Sequence, residues 1–146
     1  MAVNESAVGK QYPPAAYEVC SEKIREYAHA IGAENPVHHD RDAALAAGFR
    51  DVVAPPMFCV VYSARAVGPA IVDPDVGINL AMMVHGGQEF VWSEPVCAGD
   101  TITTSARVAE ISEREGRGFY VFESVSTNQE GAEVVRGMWT DIVRGV

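Results

Sequence analysis

The chain has 146 residues, of which 48% are apolar and 21% are charged, and its formal net charge is −9. This length is close to the commonest domain size, so we expect one domain over residues 1–146, with an irregular segment over residues 1–16. Only eleven Lys and Arg residues are present, and they are scattered along the chain. Because phosphate contacts need clustered positive charge, this composition argues against nucleic acid as a partner.

No apolar run reaches the roughly 18 residues that a membrane-spanning helix needs. The first residues, MAVNESAVGKQYPP, have neither a basic start nor an apolar block suited to secretion. We therefore expect a cytoplasmic protein with no membrane partner. Cys20, Cys59 and Cys97 have no metal-type spacing and cannot all pair, so buried, reduced thiols are expected instead of a disulfide framework.

Three helices are predicted in the first half of the chain. Ser21 can cap the first helix, whose apolar residues fall on one face, and Gly32 ends it. Asp40 or Asp42 can begin a short second helix. The third pattern, residues 57–67, is apolar on nearly every face, which predicts a central helix enclosed by other structure. Pro56 suits the first turn of this helix, and Gly68-Pro69 is expected to end it.

From about residue 80 the apolar period changes to two, which is typical of half-buried antiparallel strands. The strand candidates are 80–84, 87–94, 101–112, 117–127 and 133–144. One buried helix followed by a meander of long strands predicts an α+β hotdog fold, in which an antiparallel sheet wraps the central helix. Such a sheet leaves edge strands uncovered, so we expect a dimer.

The stretch from residue 27 to residue 57 places an Asn-Pro-Val-His turn between two of the helical patterns. Its residues match, in order and spacing, the signature of the MaoC-like dehydratases and R-specific enoyl-thioester hydratases, which have Gly-Asp-x-Asn-Pro-x-His there. The chain resembles that family, with Ala33 at the aspartate position. The resemblance rests on Tyr27, Gly32, Asn35, Pro36, Val37, His38 and Ala44.

The resemblance implies the addition of water to an enoyl thioester, or its removal from an (R)-3-hydroxyacyl thioester, carried on coenzyme A or an acyl carrier protein. This chemistry needs proton transfer at C2, a group that holds the water and donors for the enolate-like oxygen, but no cofactor or metal. His38 would be the acid–base residue. The substrate-binding residues would be Asn35, Pro36, Gly48, Phe49, Pro56 and Met57.

Two positions depart from the family pattern. Ala33 has no carboxylate, and Pro56 stands where many catalytic members have a glycine whose N–H faces the thioester oxygen. The loss of one oxyanion donor typically lowers a rate by on the order of a hundredfold to a thousandfold. Either this chain carries out the reaction differently, or a partner subunit supplies the missing groups.

Neighbouring residues offer alternatives. Glu34 could act as a catalytic residue in place of the missing aspartate, although successive residues point in different directions and a backbone shift would be needed. His39 could share the work of His38 or could face solvent, and Asp40 suits a helix cap better than an acid catalyst. His38 itself could instead be a histidine held by a backbone carbonyl to brace the turn.

The resemblance is strongest to single-hotdog accessory subunits, of the HadA and HadC type, in mycobacterial 3-hydroxyacyl-acyl-carrier dehydratases. One hypothesis is therefore a dehydratase or hydratase that uses His38. The alternative is a non-catalytic acyl-binding subunit, so the chain could form a homodimer or a heterodimer with a second hotdog subunit. A hotdog thioesterase would need an acidic residue on the central helix, where none occurs. Arg41, Arg50 and Arg65 are candidates for binding a carrier protein or phosphates.

Overall fold

Three helices and several short 3-10 turns form the helical part of the protein in the computed structural model, which describes residues 2–146. The helices are α1 (Ser21–Ala30), α2 (Arg41–Ala46) and α3 (Cys59–Ile71). The side chain of Asp40 accepts a hydrogen bond from the N–H of Ala43 and so caps α2. Ser21 is the first helical residue of α1, and Cys20 is the cap, without a side-chain hydrogen bond.

Five antiparallel strands form one sheet in the described part of the chain. They are β1 (Ala15–Glu18), β2 (Met83–Trp92), β3 (Thr101–Arg114), β4 (Arg117–Thr127) and β5 (Glu133–Arg144). The strands pair in the order β1-β3-β4-β5-β2, so β1 and β2 are the two edges. The sheet wraps around α3, which confirms the predicted α+β hotdog fold.

The core lies between the inner face of the sheet and one face of α3. The alternating residues of β3 and β4 are buried as their period of two predicts, and they pack against α3. Three hydroxyl groups within this apolar layer satisfy one another, since the Oγ of Ser126 lies 2.7 Å from Thr104 Oγ1 and 3.4 Å from Ser63 Oγ. The buried inward-facing residues include Ile102, Ala106, Val108, Tyr120 and Phe122.

The central helix differs from its prediction in two respects. A 3-10 turn over Pro56–Phe58 leads into α3, which then runs through Pro69 to Ile71. Pro69 removes only one hydrogen bond close to the end of the helix, and the fully buried Ala70 holds the last turn in the core. The helix is buried on the face toward the sheet, whereas Ala64 and Arg65 are exposed in the single chain.

The strand predictions were right for most of the sheet and wrong at three places. Residues 80–82 form a 3-10 turn, because Asn79 Oδ1 accepts a hydrogen bond from the N–H of Ala81. Strand β2 is continuous, with a bulge at Gly86 where a break had been expected. Strand β1 includes residues of the segment expected to be irregular, since its pairing with residues 101–104 is a long-range contact.

The three cysteines are all free thiols. Cys59 and Cys97 are buried, whereas Cys20 is exposed at the start of α1, so the expectation of burial was wrong for Cys20. Burial raises the pKa of the Cys59 thiol to about 11, which makes it a poor nucleophile near neutral pH. Within residues 2–146, no helix has both the length and the apolar content needed to cross a membrane.

Gly137 of β5 lies where any side chain would collide with the core. A Cβ at this position would lie 2.7 Å from a carbon of the Phe90 ring and 2.8 Å from Ser124 Oγ. We expect Gly137→Ala to lower the free energy of unfolding by about 1–3 kcal/mol through overpacking. Gly68→Ala is the control, because a Cβ at this position meets nothing within 4 Å. Urea unfolding should show that this variant gains about 0.5–1 kcal/mol in free energy of unfolding. A Gly137→Ala protein as stable as the parent would contradict this packing.

Candidate active site

The turn that carries His38 is set by the residues just before it. The side-chain oxygen of Asn35 accepts a hydrogen bond from the N–H of Val37 at 3.2 Å, which caps the 3-10 turn Pro36–His38. Pro36 occupies the first position of the turn, where its fixed φ and its missing N–H do no harm. The sequence Asn-Pro-Val-His therefore forms this turn from local interactions alone.

The peptide unit of Val53 holds His38 in one orientation. The N–H of Val53 donates to the carbonyl of Val37 at 3.0 Å, and His38 Nδ1 lies 2.7 Å from the carbonyl oxygen of Val53. Because a carbonyl can only accept, Nδ1 carries the proton and donates it. The Nε2 atom of the neutral ring is then an acceptor or base, and no partner for it occurs in residues 2–146.

The segment around Val53 is itself held in place by the turn that precedes β3. The N–H of Ala54 donates to the carbonyl of Val96 at 2.8 Å, and the N–H of Ala98 donates to the carbonyl of Val52 at 2.9 Å. This short ladder connects the His38 turn to the sheet. The position of the imidazole therefore depends on contacts made 15 and more residues away in the chain.

His38 lines an apolar cavity of about 600 Å³. This volume is within the range of small-molecule sites, which usually combine apolar walls with a few polar groups. His38 is the only titratable side chain in its lining, and no carboxylate lines it within the described part of the chain. The other lining residues are Asn35, Val37, Ala47, Phe49, Val53, Ala54, Pro56, Trp92 and Pro95.

One wall of the cavity joins the end of β2 to the start of the central helix. The indole N–H of Trp92 donates to the carbonyl of Pro56 at 2.8 Å, although the Trp92 side chain is about half exposed. Pro55 and Pro56 have no N–H, and the N–H of Phe58 is used by the carbonyl of Pro55. Within residues 2–146 the N–H of Met57 has no acceptor, so it is the free donor at this helix start.

Not every residue predicted for substrate binding lines this cavity. Asn35, Phe49 and Pro56 do, whereas Pro36, Gly48 and Met57 are absent from the lining. Gly48 has a φ of +92°, which glycine adopts without strain, and it ends α2 so that the chain can turn into Phe49. Sequence reasoning did not identify Val53 or Trp92, because their contacts with His38 and Pro56 are long-range.

A second hollow, of about 410 Å³, lies beside the first, between α1 and the His38 turn. Glu34 is exposed and lines this hollow together with Ala33, so the structure does not bring Glu34 and His38 into one cavity. His39 is half-buried there and donates from Nε2 to the carbonyl of Ala33 at 2.6 Å. This hydrogen bond of His39 fixes the loop that carries Ala33.

The three arginines proposed for anion binding each have a partner within the chain. Arg50 forms two hydrogen bonds, of 2.7 and 2.9 Å, with the buried carboxylate of Asp100. Arg41 lies 3.3 Å from Asp51, and Arg65 stacks on a tyrosine ring at 4.8 Å. Arg50 in particular is held by Asp100 beside Phe49, and anion binding by these arginines stays a prediction.

The carboxylate of Asp100 also accepts hydrogen bonds from the N–H of Cys97 at 2.9 Å and from Gln129 at 3.0 Å. Burial alone raises the pKa of Asp100, but the hydrogen bonds from Arg50, Cys97 and Gln129 outweigh it and leave the pKa below its usual value. The ionised form is therefore the one that the fold favours.

The molecule therefore has the architecture of a hotdog protein, with His38 at an apolar cavity. A family model described as the FAS1-like dehydratase domain region matches residues 6–136. The UPF0336 protein of Saccharopolyspora erythraea is 42% identical over 146 residues, which cover 99% of this chain and 94% of the relative. The chain therefore belongs to the FAS1-like dehydratase domain family.

Two solved structures show the same fold. A chain of the C-terminally truncated HadBC (3R-hydroxyacyl-ACP dehydratase) complex of Mycobacterium tuberculosis is 25% identical with a TM-score of 0.84, and the match covers 96% of this chain and 99% of that chain. A MaoC-like dehydratase is 26% identical with a TM-score of 0.87, and the match covers 97% of this chain and 43% of that chain. The fold and family are those of hotdog dehydratases and hydratases.

The Arg50–Asp100 pair predicts a specific dependence of stability on pH. Because the pKa of Asp100 is lower in the folded than in the unfolded protein, its contribution is complete above the ordinary carboxyl pKa of about 4 and is lost as the pH falls through the folded value. We expect Arg50→Met to lower the free energy of unfolding by about 1–3 kcal/mol at pH 7 and by less at acidic pH. Urea unfolding at several pH values measures the size of this loss and its dependence on pH.

Arg41→Met is the matched control for this experiment, because it removes an exposed pair with Asp51 and should change stability by no more than about 0.5 kcal/mol. The parent and the Arg50→Met protein should differ less in free energy of unfolding as the pH falls to about 3. A difference that stays constant would contradict the assignment of the effect to an ionised Asp100.

Proposed function

We propose that the protein is a hydro-lyase that interconverts (R)-3-hydroxyacyl and trans-2-enoyl thioesters, carried on coenzyme A or an acyl carrier protein. The observation that carries this proposal is the hydrogen bond from His38 Nδ1 to the carbonyl of Val53, which leaves Nε2 as a base at an apolar cavity. His38 can therefore brace the turn and act in catalysis at the same time, because Nδ1 serves the first role and Nε2 serves the second.

The cavity suits an acyl chain, because its walls are apolar apart from Asn35 and His38. In hydration, Nε2 of His38 takes a proton from the attacking water while the C3–O bond forms. The electron pair of the double bond moves toward the thioester carbonyl, and C2 then accepts a proton. Dehydration is the reverse sequence, so one neutral imidazole can serve as base in one direction and as acid, once protonated, in the other.

The enolate-like oxygen of this reaction needs a hydrogen-bond donor. The N–H of Met57 is unpaired at the start of the helical segment that leads into α3, where the helix dipole also favours negative charge. We propose that the N–H of Met57, one residue after the glycine position of the family pattern, supplies this donor at the edge of the cavity, because Met57 is not in the lining itself but directly follows the lining residue Pro56. A shift of one residue compensates for the N–H that Pro56 does not have.

His38→Asn provides the most informative test, because an amide can keep a donor for the Val53 carbonyl while removing the base. Purified protein should hydrate crotonyl-coenzyme A, and His38→Asn should lower the rate by on the order of a hundredfold to ten-thousandfold. His29→Ala, at an exposed residue outside the cavity, should retain the rate. Activity retained in a folded His38→Asn protein would remove His38 from the mechanism.

A second function, an acyl-binding subunit of a heterodimeric dehydratase, is favoured by Ala33. No carboxylate lines the cavity within residues 2–146, and the similar HadBC protein is a complex. In such an assembly the apolar cavity would hold the acyl chain, and a second hotdog subunit would supply the aspartate and histidine. The absence of any turnover in the isolated chain would favour this function.

Restoring the family residues at positions 33 and 56 tests this second function. Ala33→Asp adds a carboxylate and Pro56→Gly restores an N–H, so the double variant should gain at least weak hydration of crotonyl-coenzyme A over an inactive parent. Ala33→Asn with Pro56→Gly is the control, because it has the same shape without the charge. The unmodified chain should also raise the rate of an Asp-bearing hotdog partner, and no change on mixing would contradict this function.

A further inference from the structure

A histidine–carboxylate pair, His85 with Asp141, lies on the inner face of the sheet, outside the cavity of its own chain. His85 Nδ1 is 3.2 Å from Asp141 Oδ1, and the side chain of Asp141 is only 4% exposed while that of His85 is 51% exposed. Because a carboxylate accepts, Nδ1 of His85 donates to it, and Nε2 has no partner among residues 2–146. The pair has the arrangement of an oriented acid–base group.

The position of His85 in the strand relates it to the His38 cavity of a second protomer. Strand β2 is an edge of the sheet, and the same strand ends at Trp92, which lines the cavity. In one chain, His85 and Trp92 are separated by roughly 20 Å along the strand. His85, Phe90 and Trp92 share the inner face, since they lie opposite Asp141, Gly137 and Val135 of β5.

Pairing of β2 with the same strand of a second copy would remove this separation. Nine residues of β2 pair with β5, three before the bulge at Gly86 and six after it. Gln88 is the fifth of these nine and therefore the midpoint of the paired strand. A two-fold axis at Gln88 makes the strands antiparallel and sets His85 of one copy opposite Phe90 of the other. Its imidazole then lies within about two residues, roughly 7 Å, of Trp92 on the same face.

The side chains of β2 fit this self-pairing. Val84 and Val91 are 45% and 65% exposed, and the two-fold axis at Gln88 places each opposite the other in the second copy. Pairs of β-branched residues stabilise antiparallel strands. Glu89, the one carboxylate of the strand, lies opposite Gly87, so no like charges meet. A second copy of this chain is therefore the occupant that the edge fits.

We infer that His85 of one copy, positioned by Asp141, is the second acid–base group at the His38 cavity of the other copy. The inference rests on the proposed function, and it supplies the proton-transfer group that Ala33 and the carboxylate-free lining leave missing. His85 acts as a catalytic residue and Asp141 as a positioning residue.

In dehydration, neutral His85 takes the proton from C2 at Nε2, and that electron pair forms the C2–C3 double bond. The C3–O bond breaks at the same time, and the imidazolium form of His38 gives its Nε2 proton to the leaving hydroxyl, which departs as water. The Asp141 carboxylate provides the counter-charge for the His85 imidazolium that forms. Hydration reverses each transfer, and exchange of one proton with solvent returns both rings to their starting forms.

Mixing two impaired variants tests whether the site spans two copies. His38→Asn and His85→Asn should each lower kcat strongly, because each destroys both sites of its homodimer. After the two proteins exchange subunits, the mixed dimer has one intact site, so about a quarter of the parent activity should return. No recovery in an exchanged mixture, or an active His85→Asn protein, would overturn the inference. Asp141→Asn should lower kcat with little change in KM, as expected of a positioning residue.

A second measurement does not depend on turnover and separates this inference from the proposed function. Butyryl-coenzyme A, an unreactive thioester, is added to protein carrying ¹⁵N-labelled imidazoles. Shifts at Nε2 of both His38 and His85 would support the shared site. A shift at His38 alone would overturn the role of His85 and leave the proposed function standing, whereas no shift at either ring would overturn both.

Discussion

The peptide unit of Val53 fixes the histidine on which the chemistry depends. Its N–H and its carbonyl are both hydrogen-bonded to the His38 turn, at 3.0 and 2.7 Å. The first bond sets the position of the turn and the second selects the ring tautomer. Without this peptide the imidazole would be free to rotate, and neither nitrogen would have a defined role.

The surroundings of the cavity depend on the same segment. Arg50, three residues before Val53, is held by the buried Asp100, and Ala54 pairs with Val96 just before β3. Trp92 closes the wall from β2 by its bond to Pro56. The site is therefore built on the sheet through backbone and ion-pair contacts, which is the kind of rigid support that a catalytic geometry requires.

The sequence predicts what local interactions determine. The Asn35 cap, the Asp40 cap and the alternation along β3 and β4 could be read from short segments, and the structure has all three. The bonds of His38 to Val53 and of Trp92 to Pro56 could not, because they join residues that only the folded chain brings together. The short strand β1 was missed for the same reason.

The central claim is that the Val53 carbonyl holds the proton of His38 on Nδ1 and leaves Nε2 as the base. The ¹⁵N chemical shifts of the His38 ring in the unliganded protein, at a pH where the ring is neutral, measure this directly. We expect the Nδ1–H tautomer, with Nε2 unprotonated. A ring that is protonated on Nε2 instead, or that averages between the two tautomers, would contradict the account.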